Sequence, residues 1–200
     1  MTQWIEESTG GRDRGPRAVV RAWIEVLTRP RRFFSHAVAP GDQAPGLTFA
    51  ICVVLGALLV RLVSAPESYP TIGDQRVLSV ALVIGLVGLL VAPLALHLVA
   101  ALQTVLLIPF VPDRGGVSET VQVIGYASAP GLFAGLPVPE VQALAAVYGT
   151  LLLVVGVSVV HGVSLARAGL LAAAPAYAVF GVGFGGAGAT LTVLATWGLM

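Results

Sequence analysis

From Val77 to Phe110 the chain runs 34 residues without a single Asp, Glu, Lys or Arg. Wound as one α-helix at about 1.5 Å per residue, the tract is about 51 Å long, against a hydrocarbon core of about 30 Å. A soluble fold has no place for such a segment, because a surface helix needs a polar face. Pro93 lies near the middle, but its flanks are apolar and supply no turn residues. One long kinked or tilted helix that protrudes into the cytoplasm is therefore expected. His97, one turn after Pro93, is placed to satisfy a carbonyl freed by the kink, a role favoured over proton relay.

The rest of the chain belongs to the same solvent. It is 56% hydrophobic and 10% charged with a mean hydropathy of +0.91, whereas soluble domains carry about 25% charged residues. The expected fold class is all-α, a polytopic membrane protein with a bundle of five transmembrane helices over residues 45–200. The spans are read at 47–63, 77–110, 118–136, 141–160 and 170–197, parted by polar or Pro- and Gly-bearing turns. In 200 residues this leaves no room for a catalytic domain. Cys52 is the only cysteine, so neither a disulfide within the chain nor a Cys-based metal site is available.

Ahead of the spans, residues 1–15 are Gly-rich and polar and read as disordered. They hold no apolar core of about 7 to 15 residues, so a cleavable signal peptide is not expected. Residues 16–44 form a juxtamembrane segment. Pro16 suits a first helical turn, and Val19, Val20, Trp23, Ile24 and Leu27 recur with helical period before Pro30 ends the pattern. The expectation is a short amphipathic helix lying in the headgroup plane rather than packed on the protein. Arg29, Arg31 and Arg32 follow, each able to contribute about 1 kcal/mol at an anionic leaflet, with Phe33 and Phe34 as wedges into the acyl boundary.

All eleven Lys+Arg residues are Arg, and seven precede residue 33. With the N terminus inside, five spans leave only Arg61 and Arg76 on the outer side, as the positive-inside rule requires. The chain is thus expected in the cell membrane, N terminus cytoplasmic and C terminus outside.

Polar residues are rare enough to be followed one by one. Glu119, Gln122, Tyr126 and Pro130 are spaced i, i+3, i+7, i+11, one stripe on a helix. Glu119 falls in a first turn, where the helix dipole stabilises a carboxylate by about 0.3 to 1 kcal/mol. Gln122 and Tyr126 lie deeper and must find partners or water. With His97, His161 and Arg167 they make a candidate polar intramembrane cluster, in which Glu119 would pair with Arg167 or Arg114 and lock the inner helix ends. An alternative function for the stripe is the polar path of a small carrier or channel subunit.

Two catalytic motifs match in letter only. Gly181-Val-Gly183-Phe-Gly185-Gly186 fits a dinucleotide fingerprint, but it lies mid-span with no strand before it. Gly181, Gly185 and Ala189 read instead as a helix-packing stripe, within the monomer or in a homo- or hetero-oligomer through span five. Gly162-Val-Ser164-Leu-Ala166 lacks the second glycine of a nucleophile elbow. No enzyme, cofactor, metal or nucleic-acid reading has residues behind it.

Arg29-Pro-Arg-Arg-Phe-Phe34 before span one, Glu119 and Tyr126 leading to Pro130 in span three, and the loop His161 to Arg167 before span five together resemble the Yip domain family. These are Ypt/Rab-interacting five-span membrane proteins, and the resemblance runs from about residue 20 to the C terminus. It implies a cytosolic N-terminal segment, five spans and, in eukaryotic members, contact with small GTPases and partner Yip proteins in vesicle traffic and membrane shaping. The short N-terminal region here offers little surface for a GTPase, so that partner is not carried over. The all-Arg, Gly- and Ala-rich composition is similar to that of prokaryotic, archaeal-type relatives. A non-enzymatic membrane-organising or partner-recruiting scaffold is the function expected.

Overall fold

The computed structural model describes residues 15–69, 71–73 and 75–200. The segment expected to be disordered lies, apart from Gly15, outside the described residues. Their regular structure is all helical, without strands. Two short helices come first, α1 (Pro16–Thr28) and α2 (Pro30–Ala37). The bundle follows with α3 (Ala44–Ser64), α4 (Arg76–Leu107), α5 (Val117–Ala127), α6 (Pro139–Val160), α7 (Leu165–Gly183) and α8 (Gly186–Thr196). Proline occupies the first turn of α1, α2, α3 and α6, where its missing N–H costs nothing and its fixed φ suits the helix.

Four helices, α3, α4, α6 and α7, are individually long and apolar enough to cross a membrane. The long apolar tract forms one helix, 32 residues from Arg76 to Leu107. Pro93 has no N–H for the Leu89 carbonyl and its ring crowds it, and the turn Val87–Val91 just before widens to π geometry. The Leu107 end packs one face on the bundle. Ala100, Gln103 and Leu107 are fully buried there.

Two expected spans are not regular helices. The third, read as 118–136, ends its α-helix at Ala127 and continues as a 3₁₀ segment, Ala129–Gly135. Pro130 cannot donate to the Tyr126 carbonyl, and the Ser128 hydroxyl donates to the Gly125 carbonyl at 2.6 Å beside the break. At about 1.5 and 2.0 Å per residue the two pieces together reach about 30 Å, still the hydrocarbon thickness. This third element is also the most enclosed, with every residue from Thr120 to Gly131 buried. Its neighbours are α3, α4, α6 and the N-terminal helices.

The fifth, read as 170–197, is broken. It widens to π geometry over Tyr177–Gly183, then turns at Gly185, whose φ of +73° lies in the left-handed region open to glycine, before α8 begins. Gly181, Gly185 and Ala189 therefore do not form one stripe. Gly185 is exposed at the break, while Gly186 and Ala189 are buried, Gly186 facing Ala146 of α6.

Pro175 inside α7 leaves the Leu171 carbonyl without its usual donor, and Gln103 Nε2 of α4 donates to that oxygen at 3.1 Å. Gln103→Leu is expected to cost about 1 to 3 kcal/mol, because it strands a buried acceptor. In a Pro175→Ala background, which restores the N–H, the same change should cost less than half as much. Melting temperatures of the double-mutant cycle in detergent check the coupling; additivity would show that the carbonyl is not what Gln103 serves.

Candidate functional site

The site is built around the enclosed third element. Gly115 and Gly116 lead into α5, and Glu119 in its first turn accepts from Ser118 Oγ at 2.6 Å and from the Gly116 and Glu119 amides. This is the carboxylate half of a capping arrangement, satisfying amides that a helix N-terminus leaves unpaired. One turn on, Gln122 is fully buried. Its Oε1 accepts from the Ala39 amide at 3.2 Å, and its Nε2 donates to the Ala39 and Ser118 carbonyls at 2.7 and 3.2 Å. Ser118 Oγ accepts from the Gly41 amide at 3.0 Å. Ser118 and Gln122 thus stitch the loop between α2 and α3 to α5, using both ends of the glutamine amide.

Tyr126, the next position of the stripe, is fully buried and meets Phe33 and Phe49 edge-on, ring centroids 4.9 and 5.3 Å apart. Edge-to-face pairs of this kind contribute about 0.5 to 1.5 kcal/mol beyond the area they bury. Phe33 and Phe34 are 0% and 1% exposed. They are packed on protein, Phe34 against Gly156 of α6 and Val123 of α5, and so do not act as the expected lipid wedges.

The amphipathic helix expected in the headgroup plane is likewise docked on the bundle. Ala18, Ala22 and Val26 face inward with no exposure, whereas Val20 and Ile24 of the expected apolar stripe are 58% and 51% exposed. Trp23 Nε1 donates to the Ala129 carbonyl at 2.9 Å, and its ring lies 5.7 Å from that of Phe133. The Tyr148 hydroxyl of α6 donates to the Leu27 carbonyl, which the helix break at Arg29 leaves over. Arg17, Arg21, Arg29, Arg31 and Arg32 are exposed.

The remaining expected members of the cluster separate. His97 Nδ1 bonds the Pro93 carbonyl of its own helix at 2.7 Å, rather than the Leu89 carbonyl that proline frees. Arg167 is exposed at the start of α7 and forms no ion pair with Glu119; nor does Arg114. The expected ionic lock is a helix cap instead. His161, which ends α6, does stay with Glu119: it is 3% exposed, and a Cβ added at Gly115 would lie 3.4 to 3.5 Å from both side chains. Neither ring nitrogen has a hydrogen-bond partner. Burial holds the His161 pKa down to about 4, the Glu119 carboxylate pulling it up and Arg114 pushing it further down.

Sequence reasoning missed Trp23, Tyr148 and a pair of glycines. A Cβ on Gly46 would stand 2.5 Å from Gln122 Cα, and one on Gly125 would stand 2.9 Å from the carbonyl carbon of Gly46. The backbones of α3 and α5 are in direct contact there. The usable signals were small residues at helical spacing, Ala18 with Ala22 on α1 and Gly46 with Ala50 on α3.

An all-α bundle whose apolar side chains face outward along α4, α6 and α7 and whose polar side chains serve backbone breaks is a polytopic membrane protein. The family model of the Yip1 domain matches residues 24–187, and the chain belongs to that family. The match takes in the Arg/Phe segment, the Glu119 to Pro130 stretch and the loop before α7. Neither a curated protein nor a solved structure matches the chain.

Proposed function

We propose that this Yip1-domain protein is a non-enzymatic membrane-organising scaffold, acting through the bent helical pair α1–α2 held against the bundle. The observation that carries the reading is the depth of that pair. Tyr148, which holds Leu27, is 12 residues from Val160 in α6, about 18 Å of helix. That is about the depth of one leaflet, half of a core of about 30 Å. The pair adds protein cross-section to one leaflet. An inclusion of this shape spreads the lipids on its own side and favours curvature toward the other.

Arg17, Arg21, Arg29, Arg31 and Arg32 point away from the bundle on the same pair. They add a basic surface to that side of the bundle, to which anionic lipids are drawn. These residues, with Arg114 and Arg167, favour a cytoplasmic basic end in the cell membrane, Arg61 and Arg76 lying at the other end. Association with a second copy or another family member fits the α7–α8 side, where Leu170, Val182 and Leu191 face outward. The carrier alternative gains nothing from Gln122, whose amide is engaged by backbone.

Reconstitution at rising protein density is expected to shrink vesicles containing anionic lipid. Arg29→Gln, Arg31→Gln and Arg32→Gln together should lose most of that response at unchanged melting temperature. Vesicle diameters by electron cryomicroscopy read the outcome. Diameters that ignore protein density in the wild type would sink the proposal.

A further inference from the structure

Away from the N-terminal site, a groove of about 490 Å³ lies between α3, the middle of α4, the 3₁₀ segment and the end of α7. Its size is that of a small-molecule site, for which the usual range is about 300 to 1,000 Å³. Two irregularities of the backbone shape it. The π turn Val87–Val91 of α4 and the π segment Tyr177–Gly183 of α7 both contribute to the walls, and π turns in helices recur at functional sites.

The walls are apolar, with small side chains such as Ala50, Ala57 and Ala95. Ser128, the polar residue of the floor, is satisfied by the Gly125 carbonyl, so the floor asks for no polar ligand atom. Among the described residues one charged side chain lines the groove, Arg61, at the end of α3 remote from Gln122. It is half-buried, and its Nε donates to Ser68 Oγ at 3.3 Å. Among the described residues no carboxylate pairs with it. From Ala50 to Arg61 is 11 residue steps along α3, about 16 Å, close to the depth of one leaflet's hydrocarbon, about 15 Å.

An apolar slot one leaflet deep with an uncompensated guanidinium at its mouth matches one class of molecule. We propose that the groove binds an acyl chain of an anionic phospholipid from the leaflet opposite to the one that takes α1–α2, the phosphate pairing with Arg61. Guanidinium and phosphate form charge-assisted, bidentate hydrogen bonds, and the partly apolar surroundings strengthen them. The inference does not rest on the scaffold reading, because neither the Arg61 end nor the groove includes any residue of α1 or α2.

Native mass spectrometry of the full chain in detergent, titrated with phosphatidylglycerol or phosphatidylcholine, tests it. One phosphatidylglycerol is expected to bind about tenfold more tightly than phosphatidylcholine, the weight of one charged hydrogen-bonded pair. Arg61→Gln should reduce the preference to near unity, and Arg61→Lys should restore part of it. Arg76→Gln, at the same end of the bundle, should leave it unchanged. Ala95→Phe, at an exposed position of the wall, should fill the slot and weaken both lipids. Equal binding of the two lipids by the wild type overturns the proposal, as does an Arg76→Gln effect equal to that of Arg61→Gln, which would indicate general surface charge. Full binding by a normally melting Ala95→Phe would place the lipid elsewhere and overturns it too.

Discussion

Gly125→Ala is expected to cost about 3 kcal/mol or more, the upper end of what overpacking a tight core costs, and to lower the melting temperature in detergent accordingly. The reason is that the added methyl meets backbone rather than a movable side chain. It would lie 2.9 Å from the carbonyl carbon of Gly46, and the reciprocal change at Gly46 would lie 2.5 Å from Gln122 Cα. Neither helix can yield locally, so α3 and α5 must separate along their contact. Separation would stretch the bonds between Gln122 and Ala39 and loosen the rings of Phe49 and Tyr126, which bridge the same interface. Gly85→Ala is the control, since a Cβ there meets nothing within 4 Å. Mid-helix, that substitution should be neutral or stabilise by about 0.5 to 1 kcal/mol. Equal melting of Gly125→Ala and wild type would refute the close approach of the two backbones.

How much of this was legible follows from what kind of information each element carries. The membrane class, the succession of apolar helices and the single long α4 come from hydropathy summed over about 20 residues, a signal no local detail can erase. The breaks at Ser128 and Gly185 are set by single residues, Pro130 and a left-handed glycine, whose effect depends on what neighbouring groups can do for the freed carbonyls. For the same reason the polar residues misled. In an apolar solvent a polar side chain must find a partner, and a stripe of them reads as a path. Here most of them satisfy backbone groups that proline, a helix break or a loop leaves open. Gln103 answers Leu171, Tyr148 answers Leu27, Gln122 answers Ala39, and Gln142 answers Ala134 and Leu136. Which carbonyl a glutamine will meet is a tertiary fact, written nowhere in its own helix. The glycines were missed in the opposite way. Their role is absence of a side chain, and 24 glycines in one chain give no means of telling Gly125 from Gly85 until the helices are placed.

Phe33→Ala is the second large effect expected, about 3 to 5 kcal/mol for a large ring removed from a closed core. It separates two physical roles that look alike in sequence. A phenylalanine wedged in lipid contributes to membrane affinity, and trimming it should leave the melting temperature in detergent unchanged. One buried between Phe34 and Tyr126, with no exposed area, should lower that temperature whatever the surrounding amphiphile. The damage should also be directional. Phe33 joins α2 to α5, whereas Gly46 and Gly125 join α3 to α5, so the loss of the ring should loosen α1–α2 before the bundle itself. Limited proteolysis should then cut near Arg29 in Phe33→Ala at protease levels that leave the wild type whole, while the α3 to α8 fragment persists. Because Trp23 and Tyr148 hold the same pair from the other side, Phe33→Ala combined with Trp23→Phe should release it further, by more than the two single changes added. If Phe33→Ala melts as the wild type does and only its vesicle response falls, the ring faces lipid, and the depth assigned to the helical pair falls with it.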